Sequence, residues 1–246
     1  MDASDRSADC APVAALLHEA EGLPALKDIL LGPEQGLQYF VSHAPEATEG
    51  WAEVLSNGLT FDLRGLREGQ AISAPDIASA VGLALPGPAQ SRWLTVAPGP
   101  HLAGAEHLLP VIRVVSTLLM ELAKVGPAKG IAWLPARLII KTELFERAVR
   151  PWLEGGAFPA PAFVAMHRET DGSLRTEGLN FLIGQEFLLR PGASGDLKQL
   201  PFVALRLVDW LIANGPVMES ARAVLAGTGA VSLEAQGGER ILARCD

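Results

Sequence analysis

Cysteine, tyrosine and long uncharged apolar runs are what this chain has least of. Its 246 residues include 2 cysteines, Cys10 and Cys245, near opposite ends. That spacing offers neither a metal cluster nor a disulfide framework, and two free thiols fit a reducing cytoplasm. The longest stretch without a charge, residues 77–91, spans 15 positions and is broken by Pro86, Gly87 and Pro88. A bilayer span needs about 20 apolar residues in helix, so no membrane segment is expected. The opening MDASDRSADC is acidic and polar, without the basic and apolar regions of a secretory signal. Lysine is scarce while alanine, leucine, glycine and proline abound, a composition that points to a bacterial, GC-rich source.

Positive charge is also in deficit. Lys and Arg total 20 against 28 Asp and Glu, a net charge of −8. Such a surface repels phosphate backbones, which argues against nucleic-acid binding and anionic membranes. What is plentiful is apolar residues, at 49%, enough for a chain this long to bury a substantial core.

Several catalytic signatures are missing. There is no GxSxG elbow, and Gly192-Ala193-Ser194-Gly195 follows Pro191 and reads as a loop. No GKS or GKT phosphate loop occurs. At the turn where a dinucleotide fold would need glycines, the chain reads PGPHLAG, with prolines in the way. His101 and His107 flank Glu106, but six residues across a helix start do not match the three- or four-residue spacing of a helical metal pair. Neither a metal nor a cofactor is expected.

The elements are read in chain order. Residues 1–10 form a frayed tail. The leucine-rich 14–31, divided by Pro24, predicts one or two short helices. Strands are expected at 37–41 and 59–63, the second entered through an Asn57-Gly58 turn, with 51–55 a helical or extended bridge between them. Ser73 and Pro75 suit the start of a short helix over 73–81. The connector 84–91 is the best boundary, although the first 90 residues need the remainder to cover them.

From Arg92 onward the pattern sharpens. A strand at 93–97, a helix over 104–125 with apolar residues from Leu108 to Leu122 on one stripe, and a strand at 130–134 make a βαβ unit with parallel strands. A helix follows over 142–154, N-capped by Thr142 and bent by Pro151. A hairpin begins with a strand at 163–166, turns at Thr170-Asp171-Gly172-Ser173 and returns at Leu174. Further elements are a strand at 185–189, a helix over 196–214, and a closing hairpin of 230–233 with 241–243. The sum is an α+β fold in one domain over 1–246: a mixed sheet with one βαβ unit, antiparallel hairpins and packed helices. Trp93, Trp133, Trp152 and Trp210 fall on apolar sides of these elements and read as core.

The segment RTEGLNFLIGQEFLLR, residues 175–190, concentrates the candidates for function. Gly178 and Gly184 suit positive φ or close backbone approach. Glu186, set in an apolar strand, is either a buried acid with a chemical role or an acid that is half-exposed at an edge or structurally paired. His167, at the preceding hairpin, could serve as a general base.

Residues 92–244 resemble an uncharacterised bacterial domain family of small cytosolic α+β proteins. The resemblance rests on GIAWLPARLIIKTELFERAV, on TEGLNFLIGQEFLLR, and on a helix followed by GPV before the last hairpin. Trp133, Thr176, Gly178, Leu179, Gly184 and Glu186 match its pattern. It implies the fold and a bacterial origin, and carries no established activity.

The leading expectation is therefore a non-enzymatic interaction or accessory protein of the cytoplasm, acting on a protein partner. One alternative is a small-molecule hydrolase or transferase using Glu186 with His167 or Thr176. The other is a small-ligand-binding domain.

Overall fold

A computed structural model describes residues 10–87, 91–192 and 197–246. The fold is α+β, with two mixed sheets and helices. Most of the expected tail, all of 88–90 and the Ala193-Ser194-Gly195 part of the expected loop lie outside the described residues.

Contacts divide the chain into two compact units, residues 1–134 with 138–147, and residues 135–137 with 148–246. The division falls inside a helix and not at the 84–91 connector.

The first unit holds an eight-stranded sheet. Its strands are β1 (Ala14–His18), β2 (Phe40–His43), β3 (Trp51–Ser56), β4 (Leu59–Arg64), β5 (Ser79–Val81), β6 (Arg92–Pro98), β7 (Gly130–Trp133) and β8 (Leu138–Lys141). Their order is β2-β3-β4-β6-β1-β7-β8-β5. Two helices belong here, α1 (Leu26–Leu31) and α2 (Leu109–Val125).

The sequence reading of 14–31 as helix is corrected: its first part is β1, an interior strand. Leu16 pairs with Leu94 on one side and Ile131 on the other. All five residues of β1 are buried, so both faces are covered and no polar–apolar alternation marks it as a strand. Only α1, after Pro24, is helical in the expected way. The sole tyrosine, Tyr39, is fully buried and donates its hydroxyl to the Ile29 carbonyl of α1 at 2.9 Å. It falls in the middle of the predicted 37–41 strand, which instead runs over Phe40–His43.

The 51–55 bridge is strand β3, paired with β4 across Asn57-Gly58. Both turn residues have positive φ, 46° and 82°, as a type I′ hairpin requires. The helix predicted at 73–81 is absent. Ile72, Ile77, Ala80 and Leu83 instead lie on a buried cluster of Ala15, Leu17, Trp93, Ala132 and Ile139. Extended chain reaches that flat sheet face with more side chains than one helical turn could, and its end becomes β5, parallel to β8.

Strands β6 and β7 both run antiparallel to β1 and therefore parallel to each other. The predicted βαβ unit exists with β1 inserted between its strands. Helix α2 starts at Leu109, later than expected, because Pro110 cannot donate the bond that an upstream turn would need. Leu108 precedes the helix in extended conformation and is exposed, whereas Val111, Ile112, Val115, Leu118, Leu119 and Leu122 are buried.

Helix α3 (Thr142–Leu153) carries the chain from one unit to the other. Thr142 is its first residue, and its hydroxyl donates to the Ala128 carbonyl at 2.7 Å. The second unit contains α4 (Ala160–Phe163), β9 (Ala165–Arg168), β10 (Leu174–Glu177), α5 (Leu179–Ile183), β11 (Glu186–Arg190), α6 (Leu200–Asn214), β12 (Ala221–Leu225), β13 (Gly229–Gln236) and β14 (Arg240–Cys245). Its six strands are ordered β12-β13-β14-β11-β10-β9. Residue 163, expected in a strand, ends the short helix α4, and β8, α5 and β12 were not expected at all. Trp93, Trp133 and Trp152 are buried as core residues, while Trp210 is half-buried. No helix among the described residues is long and apolar enough to cross a membrane.

Candidate functional site

The residues singled out from sequence all lie in the second unit, and each has its own partner. Glu186, the first residue of β11, turns back to the loop before it. Its Oε1 accepts from the Gly178 amide at 2.7 Å and the Asn180 amide at 2.9 Å. One carboxylate thus satisfies amides that the start of α5 leaves without helical partners. Gly178 sits at φ 98° and Gly184 at φ 79°, bracketing α5.

Thr176 is buried and points to the opposite side of the sheet from Glu177. Its hydroxyl accepts from the Phe187 amide at 2.9 Å and lies 3.4 Å from the Phe187 carbonyl. Strands β10 and β11 pair at Leu174 and Arg175, and this hydroxyl extends the pairing to the next residue. His167 Nε2 lies 2.9 Å from Glu177 Oε2, and Arg137 donates to the other oxygen at 3.3 Å. Arg137 holds a positive φ of 46°.

A histidine beside a carboxylate is the orienting half of a general-base device. The nucleophile proposed with it does not join: Thr176 is engaged with the backbone of β11, and Glu186 with that of the α5 loop. None of the three candidate side chains bonds to another. These bonds tie β10, α5 and β11 together, while the second oxygen of Glu186 is buried without a partner.

Gln185, which the sequence reading passed over, belongs to the same scaffold. It is 1% exposed. Its side-chain amide donates to the carbonyls of Val217 and Gly238, each at 2.9 Å, and its oxygen accepts from the Val217 amide at 2.8 Å. A buried amide flanked by glycine and glutamate gives no sequence signal of this kind, because its partners lie 32 and 53 residues away.

The second unit holds a hollow of about 340 Å³ between Trp210 and Ala221, and the first unit holds a larger one. It measures about 830 Å³ and lies where β1 ends, β7 begins and β8 ends. Leu17, Leu83, Leu85, Pro86 and Pro127 provide apolar wall. Lys129 and Lys141 line it too, each paired to a glutamate that also lines it. Lys129 bonds Glu19, and Lys141 Nζ lies 3.5 Å from Glu143 Oε2. These pairs are exposed at their charged ends. A smaller cavity of about 170 Å³ shares Leu85, Pro86, Gly87 and Ser91 with it and is bounded by Trp93.

His18, the last residue of β1, forms part of the larger wall. It is 1% exposed, and neither ring nitrogen makes a hydrogen bond of normal geometry, the Gly22 backbone being the one backbone group that still favours its charged form. The Trp93 indole N–H is likewise buried without a partner. Unpartnered polar groups in an interior are costly, and their clustering against cavities marks space that a polar atom would relieve. Sequence could have drawn attention to His18 as the single polar residue closing the apolar run AALLH.

Burial pushes the His18 imidazole from its ordinary 6.5 down to about 4, with the Gly22 backbone acting weakly the other way. The folded protein thus keeps the ring neutral at pH 7. Between pH 6.5 and pH 4 the unfolded chain binds a proton that the folded chain refuses, so stability falls as pH falls through that window. We expect a loss of about 2 kcal/mol between pH 7 and pH 5 in urea titrations. His18→Phe should flatten that part of the profile; an unchanged slope would place the ring in contact with water. Among the described residues no group of three or more His, Cys, Asp or Glu could hold a metal ion.

Compared with protein-family models, with curated proteins and with solved structures, the chain finds no match in any of the three.

Proposed function

We propose that this chain is a non-catalytic small-molecule-binding protein, an accessory protein of a bacterial cytoplasm, with its ligand site in the first unit. The observation that carries this reading is the cavity at the end of β1, whose volume of about 830 Å³ falls within the range of small-ligand sites. Apolar wall with a few polar groups is the usual construction of such sites. Support also comes from the second unit, where the acid, the histidine and the threonine that could have formed a hydrolase bond to different groups and not to one another.

A thermal-shift screen with small metabolites tests it. A ligand present at a hundred times its Kd adds about 2.7 kcal/mol, which raises Tm by several degrees for a protein of this size. Leu85 lines the cavity yet is 55% exposed, so Leu85→Asp should leave the fold intact and abolish the shift. A library without a single stabilising compound, or a shift that Leu85→Asp leaves untouched, would remove the reading.

A further inference from the structure

The polarity of the cavity narrows what it accepts, an inference that rests on the ligand-binding reading. Every cation on its wall already has an anion beside it: Lys129 with Glu19, and Lys141 with Glu143. An anionic ligand would have to displace a glutamate to reach either ammonium, and a cationic ligand would have to displace a lysine. Deeper in, the groups that lack partners are uncharged. The neutral imidazole of His18 offers one donor and one acceptor, and the Trp93 indole beside the adjoining cavity offers a donor. A full charge brought against Leu17, Leu83 and Pro127 would lose its hydration with nothing to replace it.

We propose that the cavity takes a small molecule with an apolar body and an uncharged oxygen-bearing head, a hydroxyl or a carbonyl, in preference to a carboxylate or an amine. The apolar body lies between Leu17, Leu83 and Leu85, and the head meets the His18 ring, which donates to it or accepts from it. The hydroxyl is suited to both roles, since it is donor and acceptor at once.

A chain-length-matched series tests this on the full-length protein: octanol, octanoate and octylamine, followed by NMR of the Leu83 and Leu85 methyl groups and the ring nitrogens of His18. The expected result is that octanol perturbs all three residues and binds roughly tenfold or more tightly than either charged analogue. Octanol binding should disappear in Leu85→Asp. Octanoate or octylamine binding as tightly as octanol at the same methyls would overturn the proposed ligand class while leaving the site in place. Octanol binding that leaves the His18 nitrogens unmoved would overturn the role given to that ring. No perturbation of these residues by any of the three would end both this inference and the reading beneath it.

Discussion

Gln185→Leu is expected to destabilise the second unit by about 3–5 kcal/mol, more than any other single polar replacement considered. The leucine is near in size, so packing changes little and the loss is of hydrogen bonds. Three backbone groups are stranded at once: the Val217 amide, the Val217 carbonyl and the Gly238 carbonyl. Val217 is buried, so water does not readily replace the bonds of its amide and carbonyl, whereas the Gly238 carbonyl lies in an exposed turn. The cost is that of leaving buried groups unpaired, about 1–3 kcal/mol apiece. Gln185→Glu should fare no better, because a carboxylate cannot donate to the two carbonyls. Urea unfolding followed by tryptophan fluorescence measures the effect. A loss below about 1 kcal/mol would mean that the link from β11 to the β13–β14 turn is not as drawn.

Gly178→Ala should cost about 2–5 kcal/mol, and Gly184→Ala much less. Both glycines have positive φ, and that alone penalises alanine by about 1–2 kcal/mol. The two sites differ in space. A β-carbon at Gly178 would fall 2.5 Å from Ala136 Cβ and 2.9 Å from the Phe163 carbonyl oxygen, whereas at Gly184 it meets nothing within 4 Å. Overpacking of that sort typically adds about 1–3 kcal/mol. Thermal denaturation of the pair separates the two effects, and equal losses in both variants would dismiss the close approach at Gly178. That replacement also displaces the amide that Glu186 accepts from, so the α5 loop should exchange its amides faster.

Much of the architecture could be read from local pattern. The Asn57-Gly58 turn, the amphipathic stripe of α2 and the hairpin around Asp171 each follow from a few neighbouring residues. The errors arise where tertiary context overrides local signal. In β1 both faces are covered, so AALLH has no alternation and resembles half a helix. At 73–81 the N-cap and proline signals are sound for a helix, but Ile72, Ile77 and Ala80 gain burial only by lying extended on Leu17 and Trp93. Gly178 and Gly184 have the positive φ expected of them, and Glu186 is the first residue of β11. Their purpose was not legible, since it depends on a carboxylate folding back onto amides six and eight residues away. The cavity was illegible for a similar reason: its wall draws on residues from 17 to 143, and no local window contains two of its sides.

The place of β1 in its sheet has a consequence for synthesis. This segment leaves the ribosome before both of its neighbours, β6 and β7, which are encoded some 75 to 120 residues later. Until Gly130–Trp133 has emerged, Leu16 and Leu17 have no finished interior to enter. Pairings over such separations form slowly, and the waiting strand is open to wrong partners meanwhile. A nascent chain halted before residue 130 should therefore remain sensitive to proteases and attract chaperones, even though the β3–β4 hairpin is already complete.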